Sequence, residues 1–339
     1  TRCSRDWSSD VCSSDLLLDK TDFAAGTVLI DGTAYPLLDK HFPTIDPLRP
    51  DALTAAEQAV VDKLRHSFVH SRKLQQHTRF LFANGSIYLI HDGNLLYHGC
   101  IAMNDDGSFR SFNVDGRAFA GKAFLDRVDR LARQGYFSTD NPAQKQYGMD
   151  AMWFLWCAPE SPLFGKEKMA TFERYFLADP VTHKEKRNAY YALRDTVDTA
   201  EKILREFGLD SKNGHIINGH VPVKVVKGER PVKANGRLIV IDGGFSRAYQ
   251  KETGIAGYTL ISNSRGWLLA AHQPFESRQR AICDEVDMDS ETEIIESHPE
   301  RMHIRHTDEG KAIQRDIDQL KALLEAYREG SIKERRLSV

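Results

Sequence analysis

Two histidines carry the chemistry that this sequence makes legible. His98 follows Asn94-Leu95-Leu96-Tyr97 and precedes Gly99-Cys100, and His220 lies in Ile216-Ile217-Asn218-Gly219-His220-Val221-Pro222-Val223-Lys224. Each stands at the end of a short apolar run that reads as a strand, and each has a glycine beside it. A glycine lets the backbone come close to a bound group, and the imidazole presents a nitrogen donor there. One such junction is a weak signal. Two in matching settings, far apart in the chain, read as ligands of a divalent metal brought together by a sheet. A third apolar run, Leu238-Ile239-Val240-Ile241, ends in Asp242-Gly243-Gly244-Phe245-Ser246, a strand closed by a double-glycine turn.

Other groupings point away from chemistry. Asp39-Lys40-His41 has the Asp-x-His form of a metal pair, but Phe42-Pro43 follow where glycine and further acidic ligands belong. It reads as a polar turn. His66 and His70 are four apart on one helix, with no glutamate where a helical zinc site needs one, and read as solvated or packed. Asn104-Asp105-Asp106-Gly107 lacks the ligand spacing and terminal glutamate of a calcium loop and reads as a hairpin turn.

Composition sets the frame. A chain of 339 residues can hold one large domain or two ordinary ones. With 41% hydrophobic and 28% charged residues it is globular in character, and a net charge of -2 gives no footprint of a nucleic-acid or membrane partner. The five cysteines include no Cys-x-x-Cys pair, which argues against a disulfide framework or a cysteine zinc site and fits a reducing cytoplasm. No run is long and apolar enough to span a bilayer. Residues 1–16 carry Ser-Ser-Asp twice and show neither helical nor strand periodicity. They are expected to be a non-native leader, similar to translated sequencing-adapter debris, with the true start of the protein lost.

The elements that must position the histidines follow from periodicity. Residues 27–30 and 35–38 read as strand-like pieces around the Asp31-Gly32 turn. Residues 51–82 predict one long helix opened by the capping box Thr54-x-x-Glu57, with Val60, Val61, Leu64, Phe68 and Leu74 at helical spacing. Residues 86–91 and 94–97 predict strands around Asp92-Gly93. About 113–212 predict a helical insertion: 118–133 amphipathic, 149–157 aromatic and buried, and 184–207 a helix stopped by Gly208. Strands are then expected at 216–217, 225–226, 238–241, 257–262, 267–272, 281–283 and 292–295, the later ones forming an antiparallel sheet. A last helix over 310–327 places Ile313, Ile317, Leu320, Leu324 and Tyr327 on one face, and Gly330 ends it before a frayed tail. The predicted organisation is a leader (1–16), a main α/β body of α+β type (17–304) and a C-terminal helix and tail (305–339).

The stretches 95–100, 217–224 and 240–246, with Asn84-Gly85-Ser86-Ile87-Tyr88 before them and His272-Gln273-Pro274-Phe275 after, resemble the bacterial class III fructose-1,6-bisphosphatases. The resemblance runs from about residue 17 to the end. It implies the fold of the calcineurin-like metallophosphatases, a β-sandwich of two facing mixed sheets flanked by helices. It also implies a phosphoric monoester hydrolase of gluconeogenesis, a cytoplasmic enzyme that removes the 1-phosphate of fructose 1,6-bisphosphate. Two divalent ions, manganese in this family, would bridge the attacking water. His98 and His220 fall on the family's two later metal histidines. Lys224 and Arg247 become candidates for the substrate phosphates, and Asp242 for hydrogen-bonded support of His220. The family's Asp-x-His, Gly-Asp-x-x-Asp-Arg and Gly-Asn-His blocks have no counterpart here. The chain is therefore expected to be the C-terminal portion of the enzyme, incomplete in fold, retaining no catalytic residue and inactive alone. The expected partner is a sugar bisphosphate, with no nucleic acid and no membrane, and a homo-oligomer is compatible with the sequence. The alternatives are a phosphatase of other specificity on the same fold and a non-catalytic fragment.

Overall fold

The structure, a computed structural model, describes residues 17–158, 161–244, 246–275, 277–285 and 290–333. The expected leader (1–16) and the end of the tail (334–339) lie outside the described residues. In chain order the strands are β1 (Thr21–Asp22), β2 (Thr27–Ile30), β3 (Thr33–Pro36), β4 (Tyr88–His91), β5 (Asn94–Tyr97), β6 (Phe112–Val114), β7 (Arg117–Phe119), β8 (Ile216–Asn218), β9 (Val232–Lys233), β10 (Leu238–Val240), β11 (Gly257–Asn263), β12 (Gly266–His272) and β13 (Ser290–Ser297). The helices are α1 (Ala55–His70), α2 (Arg72–Asn84), α3 (Gly121–Phe137), α4 (Pro142–Cys157), α5 (Thr171–Phe176), α6 (Tyr190–Leu193), α7 (Val197–Glu206), α8 (Arg247–Thr253), α9 (Arg278–Cys283) and α10 (Asp308–Arg328). The mixture is α+β in class. It divides into two units, one of residues up to Leu89 with 97–207, the other of 90–96 with 208–339.

In the first unit β1, β2 and β3 form a small antiparallel sheet. Its hairpin β2–β3 turns on Asp31-Gly32, both at positive φ (48° and 78°). Asp115-Gly116 between β6 and β7 has the same form (54° and 74°). Two successive positive φ values make the type I′ turn that matches strand twist, which is why Asp-Gly recurs at these tips. The main core of the unit is the α3–α4 hairpin. Phe124, Val128, Leu131 and Ala132 of α3 pack with Ala151, Phe154, Leu155 and the following Ala158. Burying each large side chain there contributes about 1.5–3 kcal/mol. The helices cross at Gly135 and Gly148, where a Cβ on either would lie within 2.5 Å of the other's backbone.

Four expectations for this unit change. The helix expected over 51–82 is two helices, because Ser71 leaves the helical region (ψ 104°) and its side chain caps the next helix by accepting from the Leu74 N–H. The Thr54–Glu57 capping box is present as read. Residues 149–157 are buried along one stripe only: Ala151, Phe154 and Leu155 are buried, whereas Met149, Met152, Trp153 and Trp156 are exposed along a groove that they share with Ala132, Gly135 and Tyr136 of α3. The helix expected over 184–207 is confined to α6 and α7, the latter opened by the side chain of Thr196 accepting from Thr199 N–H and closed before Gly208. The insertion also carries the β6–β7 hairpin besides its helices.

The second unit holds a five-stranded sheet in the order β4-β5-β8-β10-β9. β5, β8 and β10 run parallel, and β9 is antiparallel to β10. β8 and β10 are buried throughout, as expected of parallel strands covered on both faces. β11, β12 and β13 form a separate antiparallel sheet. Two predicted strands are absent. Residues 225–227 make one 3-10 turn ended by Gly228 in the left-handed region. Residues 281–283 belong to α9, because Ser277 accepts a hydrogen bond from Arg280 N–H and starts a helix there.

Candidate functional site

Parallel pairing fixes which ends of the strands share a direction. Leu95 and Leu96 pair with Ile216 and Ile217, which pair in turn with Leu238 and Ile239. The carboxyl ends of β5, β8 and β10 therefore point the same way, and the chain leaves them into His98, Gly219-His220 and Ile241-Asp242. In open α/β sheets this is the end at which ligands bind. Beyond the ladder the segments after β8 and β10 stay joined. Ile241 N–H donates to Asn218 O at 3.0 Å, and Val223 N–H donates to Asp242 O at 2.8 Å. His220 sits between these two ties.

The backbone at His220 is unusual. Its φ is +66°, and Val221 N–H donates to Gly219 O at 2.8 Å across it. A three-residue turn with positive φ at its centre is the strained, rarer hand of γ-turn. A histidine held there costs of order 1 kcal/mol relative to glycine. Strain of this kind persists where surrounding bonds enforce it, and it collects at functional sites.

His98 is exposed and stands on a rigid base within the first unit. Tyr97 is buried, its hydroxyl 2.7 Å from that of Tyr190. Cys100 is buried, its thiol directed at Ser161 O at 3.6 Å. Burial pushes that thiol up to about 12, so it stays protonated, and the imidazole is the donor at this junction. Gly99 is required by close approach: a Cβ there would lie 2.0 Å from Pro162 O, the oxygen that accepts from Cys100 N–H at 2.7 Å. Gly99→Ala is expected to destabilise the protein by about 1–3 kcal/mol, read as a lower midpoint in urea unfolding, with the tilt of His98 disturbed as well.

Comparison with known proteins bears on this arrangement. The family model described as Firmicute fructose-1,6-bisphosphatase matches residues 7–329. The chain belongs to that family. Proteins named fructose-1,6-bisphosphatase class 3 are similar over nearly the whole chain. The one from Alkaliphilus metalliredigens is 53% identical over 95% of this chain and 49% of its own length. The one from Clostridium tetani is 52% identical over 94% and 48%, and that from Bacteroides fragilis 50% over 94% and 48%. The chain spans about half the length of the curated relatives it matches. No solved structure matches it.

Within this member of the family the other expected site residues fall as follows. Lys224 is partly buried; its ammonium lies 3.5 Å from the carboxylate of exposed Glu252, and its N–H donates to Glu229 Oε2 at 3.0 Å. Asp242 Oδ1 accepts from Gly244 N–H at 3.0 Å, closing the turn after β10. Gly243 admits the start of β11: a Cβ there would lie 2.5 Å from Gly257 Cα. Arg247 opens α8, and its side chain lies outside the described residues, as does Phe245. Asp39 is a polar turn as read, its Oδ1 accepting from His41 N–H at 2.8 Å.

Sequence reasoning missed His215 although Gly214 stands directly before it, because it leads into β8 and does not follow a strand as His98 and His220 do. It is buried, its ring tilted by 34° against that of Trp267 with the centroids 4.8 Å apart. Nδ1 is 3.2 Å from Asn94 Oδ1 and Nε2 is 2.8 Å from Glu296 Oε2. Burial is the largest influence and lowers its pKa. Glu296 pulls the other way, whereas Arg237 and His298 add to the lowering. A histidine held below its unfolded value of 6.5 binds protons more readily when unfolded. Its destabilising effect is therefore nil well above that pH, sets in as pH falls through it and levels off below the folded value. Melting temperature is expected to drop more steeply for the parent chain than for His215→Gln between about pH 7.5 and pH 5. Equal slopes would remove His215 from the acid response.

A second cluster, His91, Asp92 and Asp308, offers three ligand atoms within 4.8 Å of one another. Its carboxylates are already engaged: Asp92 N–H donates to Asp308 Oδ2 at 2.7 Å, and Asp308 N–H to Asp92 Oδ1 at 2.6 Å. It serves as a clasp between the β4–β5 turn and the start of α10. Among the described residues no helix is long and apolar enough to cross a membrane.

Proposed function

We propose that this chain supplies the His98 and His220 ligands of a divalent-metal site that hydrolyses the 1-phosphate of fructose 1,6-bisphosphate. The observation that carries the reading is membership of this family over residues 7–329, supported by the matching settings of the two histidines, each beside a glycine and just after a strand. Imidazoles mixed with carboxylates, the latter to come from outside this chain's assigned residues, would suit manganese, the ion proposed. The bound metal would supply Lewis acidity toward the phosphoryl group. The protein's own part is positional. The γ-turn fixes the His220 ring, and Asp242, two residues beyond β10, braces that turn through its carbonyl. Lys224 and Arg247 follow these turns in sequence and would neutralise the substrate's phosphates, Lys224 exchanging Glu252 for them. The five-stranded sheet is proposed as one layer of a metallophosphatase sandwich. A groove of about 1320 Å³ in the first unit, among Trp153, Trp156, Phe172 and Lys168, offers aromatic and ammonium groups instead of imidazoles and is not assigned to the reaction.

The test uses a chimera joining this chain to the part of the Alkaliphilus metalliredigens relative that lies outside the match. With manganese it is expected to release phosphate from fructose 1,6-bisphosphate in preference to fructose 6-phosphate and to phosphopeptides. Equal rates on a phosphopeptide would favour a phosphatase of other specificity.

A further inference from the structure

We propose that α10 is a dimerisation helix, pairing in parallel with the same helix of a second copy of this chain. The seam is Ile313, Ile317, Leu320, Leu324 and Tyr327. Their spacing alternates between four and three, the heptad rule for two helices that wind around each other. All five are between 39% and 64% exposed, though a side-chain row of this kind is normally covered. The helix runs for 21 residues, which is three heptads. It is long enough for a seam of five layers but marginal as an isolated helix.

The flanking charges select the partner and its direction. Placing Ile317 and Leu324 at the first core position of the heptad puts Ile313, Leu320 and Tyr327 at the second. The positions bordering the seam are then Glu309, Asp316 and Leu323 on one side and Gln314, Lys321 and Arg328 on the other. In a parallel pair each residue of the first set meets the residue five places later on the other copy. Asp316 then faces Lys321 of the second copy, twice by symmetry, and Glu309 faces Gln314. Leu323, itself exposed, lies along the stem of Arg328 and widens the apolar strip. An antiparallel pair would set the acidic border against itself and the basic border against itself, which is unfavourable. The seam is thus self-complementary in one direction only.

The start of the helix is held so that it can present this face. Thr307 accepts from Gly310 N–H at 3.1 Å. The reciprocal Asp92–Asp308 bonds clasp the first turn to the β4–β5 loop. Gly310, at the first core position one heptad before Ile317, is buried against Ile304 O, where a Cβ would clash at 1.9 Å. The seam therefore opens at Ile313, beyond the anchored turn. The inference is independent of the hydrolytic reading.

The experiment is sedimentation equilibrium on the full 339-residue chain and its charge variants, with circular dichroism to confirm that each variant is folded. The parent chain is expected to dimerise. Lys321→Glu and Asp316→Lys each set like charges across the seam twice, and each is expected to weaken dimerisation about tenfold or more. Mixing the two variants restores both opposite-charge contacts, and a heterodimer close to parental affinity is expected. A monomeric parent chain at every concentration would overturn the proposal and leave this face for a different partner. Single variants that dimerise like the parent would overturn it too, as would a mixture no tighter than its components.

Discussion

The 339-residue chain alone, given manganese and fructose 1,6-bisphosphate, is expected to release phosphate at least about 1000-fold more slowly than the chimera, a loss of about 4 kcal/mol of transition-state stabilisation. His98 and His220 are two neutral donors, and the sequence contains no Gly-Asp-x-x-Asp-Arg and no Gly-Asn-His block to add to them. Two imidazoles hold a hard divalent ion weakly, and no assigned carboxylate brings a second ion near the first. In-line displacement at phosphorus draws its rate from charge stabilisation at both the attacking and the leaving oxygen. Turnover by the chain within tenfold of the chimera would sink this account. Substitutes would then have to be sought at other residues. His272 is poorly placed to be one, since its ring nitrogens lie 2.7 Å from Thr259 Oγ1 and 2.9 Å from Ser290 Oγ.

In the chimera, His220→Ala and His220→Gly are both expected to lower turnover by about a hundredfold or more, because each removes a metal donor. Their effects on stability should part. At φ +66° alanine keeps the strain of the γ-turn, whereas glycine relieves about 1 kcal/mol of it. The glycine variant should thus melt above the alanine variant while being equally impaired. A separation of this kind would show that the turn is maintained at a cost to the fold for the sake of its side chain. If either variant kept near-parental turnover at saturating manganese, His220 would lose its assignment. Equal melting of the two would instead place the strain elsewhere.

The parts of this protein that could be read from its sequence are those specified by a few adjacent residues. Asp31-Gly32 and Asp92-Gly93 announce their turns because few other residues take two positive φ values in succession. Thr54 and Glu57 announce a helix start because the capping bonds span only three residues. Heptad spacing announces α10. The misreadings share a different cause. Val225 and Val226 have strand propensity, yet among the described residues no strand pairs with them, and the chain turns instead. Residues 281–283 look like a strand until the cap at Ser277 is taken into account. For 149–157, composition indicated burial, but which side of α4 is buried depends on the crossing at Gly135 and Gly148. At the site, glycine marked His98 and His220, whereas the left-handed backbone of His220 left no trace in composition. His215 was invisible because its setting comes from Trp267 and Glu296, both remote in the chain.

The pairing of β5 with β8 has a consequence for how the chain folds. Leu95 and Ile216 are partners across about 120 residues, a loop whose closure entropy must be met before the parallel ladder returns anything. Contacts of such long range slow folding. Residues 90–96 belong with 208–339, so on a ribosome they emerge long before their neighbours in the sheet exist. The α3–α4 hairpin between them is made of local contacts and can form while synthesis continues, shortening the effective loop. Refolding is then expected in two phases, a fast one that acquires helix and a slow one that closes the sheet, with β5 an unpaired edge in the interval. A chaperone that shields exposed strands would act on that interval.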